Sequence, residues 1–278
     1  MRRSPILPAK RVGTLGVTLL GLAVSALFLA PLGWALLTAF KEGREVFSGA
    51  LLPSSWRVSN FVEAWNAAPF GRYLINSLLV STAITALVLL TSCLSAFAFA
   101  RLSFPGRALL FMLALGTLMI PYDVLLIPNY LTVRAFGLLD SYAALIVPFA
   151  ASGFGIFVLR QAFKQTPREI EDAARIDGAN SPTYLFRILV PMNLAPLTAV
   201  GVLTFLGAWN AYVWPLIVTS RDELRPVQVG LANFRGVEGS NIPLMMAATV
   251  IAVAPVLIVY VFAQRWFIKS AAASGLKG

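Results

Sequence analysis

The stretch Tyr73–Ala100, YLINSLLVSTAITALVLLTSCLSAFAFA, runs for 28 residues without an Asp, Glu, Lys or Arg. A helix needs roughly 20 apolar residues to cross the hydrocarbon of a bilayer, so this stretch alone can span it. Five further charge-free runs lie at Val12–Phe40, Ala108–Tyr122, Ser141–Leu159, Ile188–Ser220 and Gly239–Gln264. All but one reach the crossing length or come close to it. The run ending at Tyr122 is short and is followed by Asp123 and Pro128, so it reads as an exit near Tyr122 and then a broken, partly re-entrant or interfacial segment.

The composition agrees with six spans: of 278 residues 58% are apolar and 12% charged, and the mean hydropathy is +0.79. Soluble domains carry about 25% charged residues, which excludes a water-soluble globule. We therefore expect an all-α membrane protein of six transmembrane helices. The first would lie in residues 1–40, an external loop at 41–72, a core over 73–268 with a polar loop at 165–191, and a tail at 269–278. The first run is 29 residues long, beyond the roughly 7–15 of a signal-peptide core, and so is read as a spanning helix. The longest connection, 32 residues at 41–72, is shorter than the roughly 50 a separate domain needs.

Six crossings bring both termini to one face. That face collects 14 Lys and Arg against four acids, whereas the other holds eight of each. The whole excess of +10 thus sits on one side, which the positive-inside rule makes cytoplasmic, and no nucleic acid is needed to account for it.

Several chemistries are excluded. There is no His and only one Cys, Cys93, so neither an imidazole or thiolate metal cluster nor a Ser-His or Cys-His nucleophile pair can form within this chain. The six runs contain no ionisable Asp, Glu, Lys or Arg, which disfavours an ion-coupled or facilitative carrier acting alone. No G-x-x-x-x-G-K-[ST] occurs, so nucleotide hydrolysis must belong to another chain. What the spans do carry is Asn76, Trp209, Asn210, Tyr212 and Trp214. Flat rings with amide and hydroxyl groups suit a polyhydroxylated solute, although the same residues also serve as interface anchors and interhelical hydrogen bonds. Gly201, Gly207 and Ala208 read as close helix contacts.

Between the fourth and fifth runs lies QTPREIEDAARIDGANSPTYLFR, residues 165–187. Thr166 is a candidate N-cap, with Pro167 in the first turn and Glu169 completing a capping box. Ile170, Ala173 and Ala174 form an apolar stripe, and Asp177-Gly178 ends the helix with a left-handed cap. Ser181 and Pro182 start a second short helix with the stripe Leu185, Ile188 and Leu189. Glu169, Glu171 and Asp172 crowd the first turns on an otherwise basic face; they either satisfy the helix dipole or offer charge-assisted pairs to a cytoplasmic partner.

This loop resembles the integral membrane subunits of bacterial ABC importers. Their signature is EAA, three variable residues, Gly, nine more, then I-x-L-P. Here Asp172-Ala173-Ala174 is followed by Gly178 and Ile188-Leu189-Val190-Pro191 at the same spacing, with Asp172 in place of Glu and Val190 in place of Leu. ARLSFPGR, MIPYDVLLIPNYL and the tail RWFIKSAAASGLKG resemble the carbohydrate-uptake branch, of the malG/UgpE type. The resemblance implies a type I importer permease (MetI-like) fold in the bacterial inner membrane. The implied partners are a second permease subunit, two cytoplasmic ATPases holding ATP and Mg, and an extracytoplasmic solute-binding protein; this chain itself binds no cofactor. It further implies that Glu169, Glu171, Asp172, Ala173, Ala174, Asp177 and Gly178 belong to a coupling helix, with either Glu171 or Asp172 meeting the ATPase. The outer loop with Arg221, Arg225 and Arg235 would meet the binding protein. Solute in that branch is a sugar, an oligosaccharide or a glycerol-phosphate-type compound.

Overall fold

The computed structural model describes the backbone of residues 9–233 and 241–275, and side chains at 16–232 and 241–261. Among the described residues every regular element is helical. The chain divides into two compact units, Met1–Ala67 with Phe234–Ile251, and Ala68–Asn233 with Ala252–Gly278.

In the first unit, α1 (Ala9–Ala39) is followed by a loop and α2 (Ser59–Asn66). The loop is tied at its start: Asn60 Nδ2 donates to Ala39 O (2.8 Å) and Lys41 O (3.0 Å), and the Phe40 ring packs on Trp56 and Phe61.

The second unit is organised around α3 (Phe70–Arg101). After it come α4 (Arg107–Gly116), α5 (Tyr122–Ala135), α6 (Tyr142–Ile146) and α7 (Gly153–Gln165). The polar loop contains α8 (Arg168–Ile176) and α9 (Ser181–Tyr184), then a π-helical stretch Leu185–Leu189 and α10 (Val190–Met192). It leads into α11 (Leu194–Trp209), α12 (Val213–Val218) and α13 (Val227–Asn233); α14 (Ile242–Gly275) belongs to the first unit up to Ile251 and to the second from Ala252. Buried Val80, Ile84, Val88 and Ala96 of α3 form one core with Leu159 and Phe163 of α7 and Val200 of α11.

Among the described residues three stretches are long and apolar enough to cross a membrane unaided: Gly16–Ala39, Phe70–Arg101 and Ile242–Val261. Three bent pairs raise the total to six if each counts as one span: Arg107–Met119 with Tyr122–Ala135, Tyr142–Phe149 with Gly153–Gln165, and Ser181–Met192 with Leu194–Trp209. The first pair bends by 104° at Pro121, where the missing N–H ends one helix and opens the next. The segment after it is not broken at Pro128 as its sequence led us to expect. α5 runs through this proline, and Thr132 Oγ1 donates to Pro128 O at 2.8 Å. One lost backbone hydrogen bond is tolerable when the flanking turns stay paired. The fifth run is likewise not one helix, since α11 stops at Trp209 and α12 resumes at Val213.

The close approach of α3 and α7 rests on a glycine that the sequence did not single out. A Cβ at Gly155 would collide with the Ser92 hydroxyl and lie 3.3 Å from Val200 Cγ1. Gly201 has only ordinary contact with Leu89, and Gly207 faces open space, so the expected close contact at Gly207 is absent. Gly155→Val should therefore destabilise the protein by about 1–3 kcal/mol, the usual cost of overpacking, while Gly207→Ala, unopposed by any neighbour inside α11, should stabilise it by about 0.5–1 kcal/mol. Thermal unfolding of both variants in detergent checks this.

Candidate functional site

Three places gather the residues that carry chemistry, beginning with the polar loop. Thr166 does not cap α8. It ends α7, and its hydroxyl accepts from the buried Asn193 amide (Nδ2 to Oγ1, 3.1 Å), leaving Pro167 at the N-cap without a side-chain acceptor. α8 therefore opens without the expected capping box. Its far end follows expectation: Gly178 has φ +82°, Gly178 N donates to Arg175 O (3.0 Å), and Ala179 N donates to Ala174 O (2.9 Å). This is the double hydrogen bond that closes a helix on a left-handed glycine. In α9 the cap is Asn180, whose Oδ1 accepts from Thr183 N at 2.9 Å, one residue before the expected Ser181.

The two faces of α8 differ from the stripe read in the sequence. Ala174 and Glu171 are buried and Ile170 is half-buried, whereas Glu169, Asp172, Ala173, Asp177 and Gly178 are exposed. Glu171 turns inward because Arg101, the last residue of α3, lies behind it (Nη1 to Oε2, 3.5 Å), and Arg175 closes on its other oxygen at 2.8 Å. The outward face thus presents Glu169, Asp172 and Ala173, with Ile176 standing 86% exposed beyond them. Ile176 was not singled out from the sequence, although helical spacing from Glu169 and Asp172 places it on their face.

The second place is a cavity of about 620 Å³ in the second unit. Val80, Ile84 and Val88 of α3 supply apolar wall, and Tyr122, Phe149, Tyr212 and Trp214 supply rings. Polar groups come from Ser77, Ser152, Thr204 and Asn210, and a carboxylate from Asp123. The break between α11 and α12 is what delivers Asn210, Tyr212 and Trp214 to it. Trp214 is fixed by its Nε1–H donating to Ala144 O (2.9 Å) and by an edge-on contact with Phe149. Two expected pathway residues are elsewhere. Trp209 is buried and stacks on Phe205. Asn76 is fully consumed as a clamp: its Nδ2 donates to Glu223 O (2.8 Å) and Arg225 O (3.0 Å), and its Oδ1 accepts from the Tyr142 hydroxyl (2.7 Å). Tyr122 and Asp123 at the start of α5 and Phe149 were missed because they reach the cavity from segments that only folding joins to α3 and α12.

The third place is the base of the loop after α12. Asp140 holds it, with φ +56°, the one positive φ outside glycine among the described residues. Its Oδ1 accepts from Ser220 N (2.5 Å) and Arg221 N (3.1 Å), its own N donates to Val218 O (2.9 Å), and its O accepts from Arg221 Nη2 (2.6 Å). Arg225 pairs with Asp222 at 2.6 Å. Arg221 and Arg225 are thus both engaged in the loop's own base; Arg235 lies outside the described residues.

Comparison with known proteins follows the same lines. Residues 80–272 match the family model for the binding-protein-dependent transport system inner membrane component. The chain is 32% identical to the diacetylchitobiose uptake system permease protein NgcG of Streptomyces coelicolor, over 87% of this chain and 82% of that one. It is 34% identical to the sn-glycerol-3-phosphate transport system permease protein UgpE of Yersinia pestis, over 87% and 90%. In fold it is similar to a chain of a bacterial ABC transporter that imports the acidic polysaccharide alginate, with TM-score 0.80 and 24% identity over 95% of this chain and 100% of that one.

Backbone hydrogen bonds from Ser220 and then Arg221 hold the Asp140 carboxyl below the usual carboxylate range. A depressed folded pKa means that its support for the loop is present above the ordinary aspartate pKa and is lost as pH falls through the lowered value. Hydrogen exchange at the Ser220 and Arg221 amides should therefore stay slow down to the ordinary aspartate range and rise only below it. In Asp140→Ala it should be fast already at neutral pH.

Proposed function

Because the chain belongs to the family of binding-protein-dependent transport system inner membrane components, we propose that it is the permease half of an ABC importer for a carbohydrate or carbohydrate-like solute. It is a membrane-spanning transport component and not an enzyme. Its inner-membrane orientation, with both termini in the cytoplasm, is supported by the one-sided excess of basic residues. ATP and Mg belong to two partner ATPases, a second permease subunit completes the translocation path, and an extracytoplasmic binding protein delivers solute.

The observation that carries this reading is the outward face of α8. Glu169 and Asp172 project from a short, well-terminated helix on the basic side of the chain, and Ile176 offers an apolar knob beside them. Carboxylates around a small residue and one exposed aliphatic side chain suit a groove carrying Arg or Lys and an apolar floor. Asp172, not Glu171, is then the acid that meets the ATPase, since Glu171 is occupied by Arg101 and Arg175. Closure of the ATPases would push α8 and rock the spans between inward- and outward-open states.

For the solute, support comes from relatives named for diacetylchitobiose and sn-glycerol-3-phosphate, both hydroxyl-rich, and from the cavity. Its rings offer faces to sugar C–H surfaces, while Asp123, Asn210, Ser77 and Thr204 offer hydrogen bonds to hydroxyls. The loop held by Asp140 is the element we assign to the binding protein.

Reversing both outward acids, Glu169→Lys with Asp172→Lys, should abolish co-purification of the ATPase subunits and solute uptake together. Recovery of the ATPases in unchanged yield would contradict docking through this face.

A further inference from the structure

Arg101 lies where three helices meet. Its side chain is 3% exposed. Nη2 donates to Phe163 O (2.7 Å) and Thr166 O (2.6 Å), carbonyls at the end of α7, where the regular helical pairing stops. Nη1 faces Glu171 of α8 at 3.5 Å. A guanidinium can serve two carbonyls and a carboxylate at once because its donors fan out in one plane, which an ammonium on a flexible stem cannot reproduce. Thr166 extends the joint, since its hydroxyl accepts from Asn193, whose Nδ2 also donates to Leu189 O at 2.8 Å in the π-helical stretch before α11.

From this arrangement we infer that Arg101 is a positioning residue that makes α8 move as one body with α3 and α7. α3 carries Ser77, Val80, Ile84 and Val88 on the cavity wall. A push on α8 is therefore delivered to that wall through a buried cation and not through a pliable loop. Without Arg101, Glu171 keeps only Arg175, whose side chain is 62% exposed, and the end of α7 loses the two side-chain hydrogen bonds that tie it to α3. The inference rests on the reading of α8 as the ATPase-docking helix, but it concerns what happens after docking.

The test uses the full complex in liposomes, with Cys93→Ser to remove the native thiol and spin labels on cysteines at Arg168 of α8 and Leu94 of α3, both exposed. Distances are measured without nucleotide and after ATP with vanadate. With Arg101 present, one narrow distance that does not change between the two states is expected. In Arg101→Met the ATPases should still co-purify, but the distance should broaden and become nucleotide-dependent. Arg101→Lys should recover part of the narrow distribution. Glu171→Gln should broaden it, and the double variant Arg101→Met with Glu171→Gln should be no worse than Arg101→Met alone. A distance that stays narrow and unchanged in Arg101→Met, or in Glu171→Gln if Arg101→Met does not assemble, overturns the inference. Failure of the ATPases to bind the parent complex would overturn the docking reading instead.

Discussion

Hydrocarbon solvates neither a charge nor an unpaired peptide group, and that cost arranges the whole chain. Each Lys, Arg or Asp at the centre of a span costs about 2.5–3.5 kcal/mol on insertion scales, so the charged residues retreat to the ends of the helices. Every regular element is helical among the described residues because a helix satisfies its own backbone. Where the helices break, at Pro121, Asn193 and between Trp209 and Val213, the free groups lie against other protein or a cavity: Asn193 is buried on Thr166 and Leu189, and Asn210 and Tyr212 open onto the cavity. The breaks are thus where the chain departs from a plain bundle and where its polar side chains collect.

The same cost divides labour at the foot. A buried guanidinium needs acceptors, and Arg101 finds them for its two terminal nitrogens in two carbonyls and Glu171. Meeting that need draws one acid of the cluster inward and leaves Glu169 and Asp172 free for another molecule. One helix thereby has a face that grips its own fold and an outward face, the one we propose for the motor. At the opposite end Asp140 pins the base of the loop after α12 with backbone hydrogen bonds, and Asn76 reinforces it from α3. Between these two anchored ends lies the cavity.

Much of this was legible in the sequence, for reasons that can be named. Charge-free runs map onto spans because hydrophobicity is additive along a chain, and the Asp177-Gly178 stop was readable because only glycine takes φ +82° cheaply. The spacing from Asp172 to Pro191 carried the family on its own. What stayed hidden depended on partners distant in sequence. Glu171 turns inward only because Arg101, 70 positions earlier, arrives behind it. Thr166 forfeits its cap to Asn193, and Asn76 is taken by Glu223, Arg225 and Tyr142. Local rules offered each of these polar groups a plausible local role, and a long-range hydrogen bond outcompeted it.

The central claim is that this chain is a conduit with no power of its own. It is tested most directly by reconstituting the purified chain in liposomes, alone and as the complete complex, and following entry of radiolabelled diacetylchitobiose and sn-glycerol-3-phosphate together with ATP cleavage. The account predicts no uptake and no hydrolysis by the chain alone. Uptake of either solute, or cleavage of ATP, by the chain without companions would contradict it.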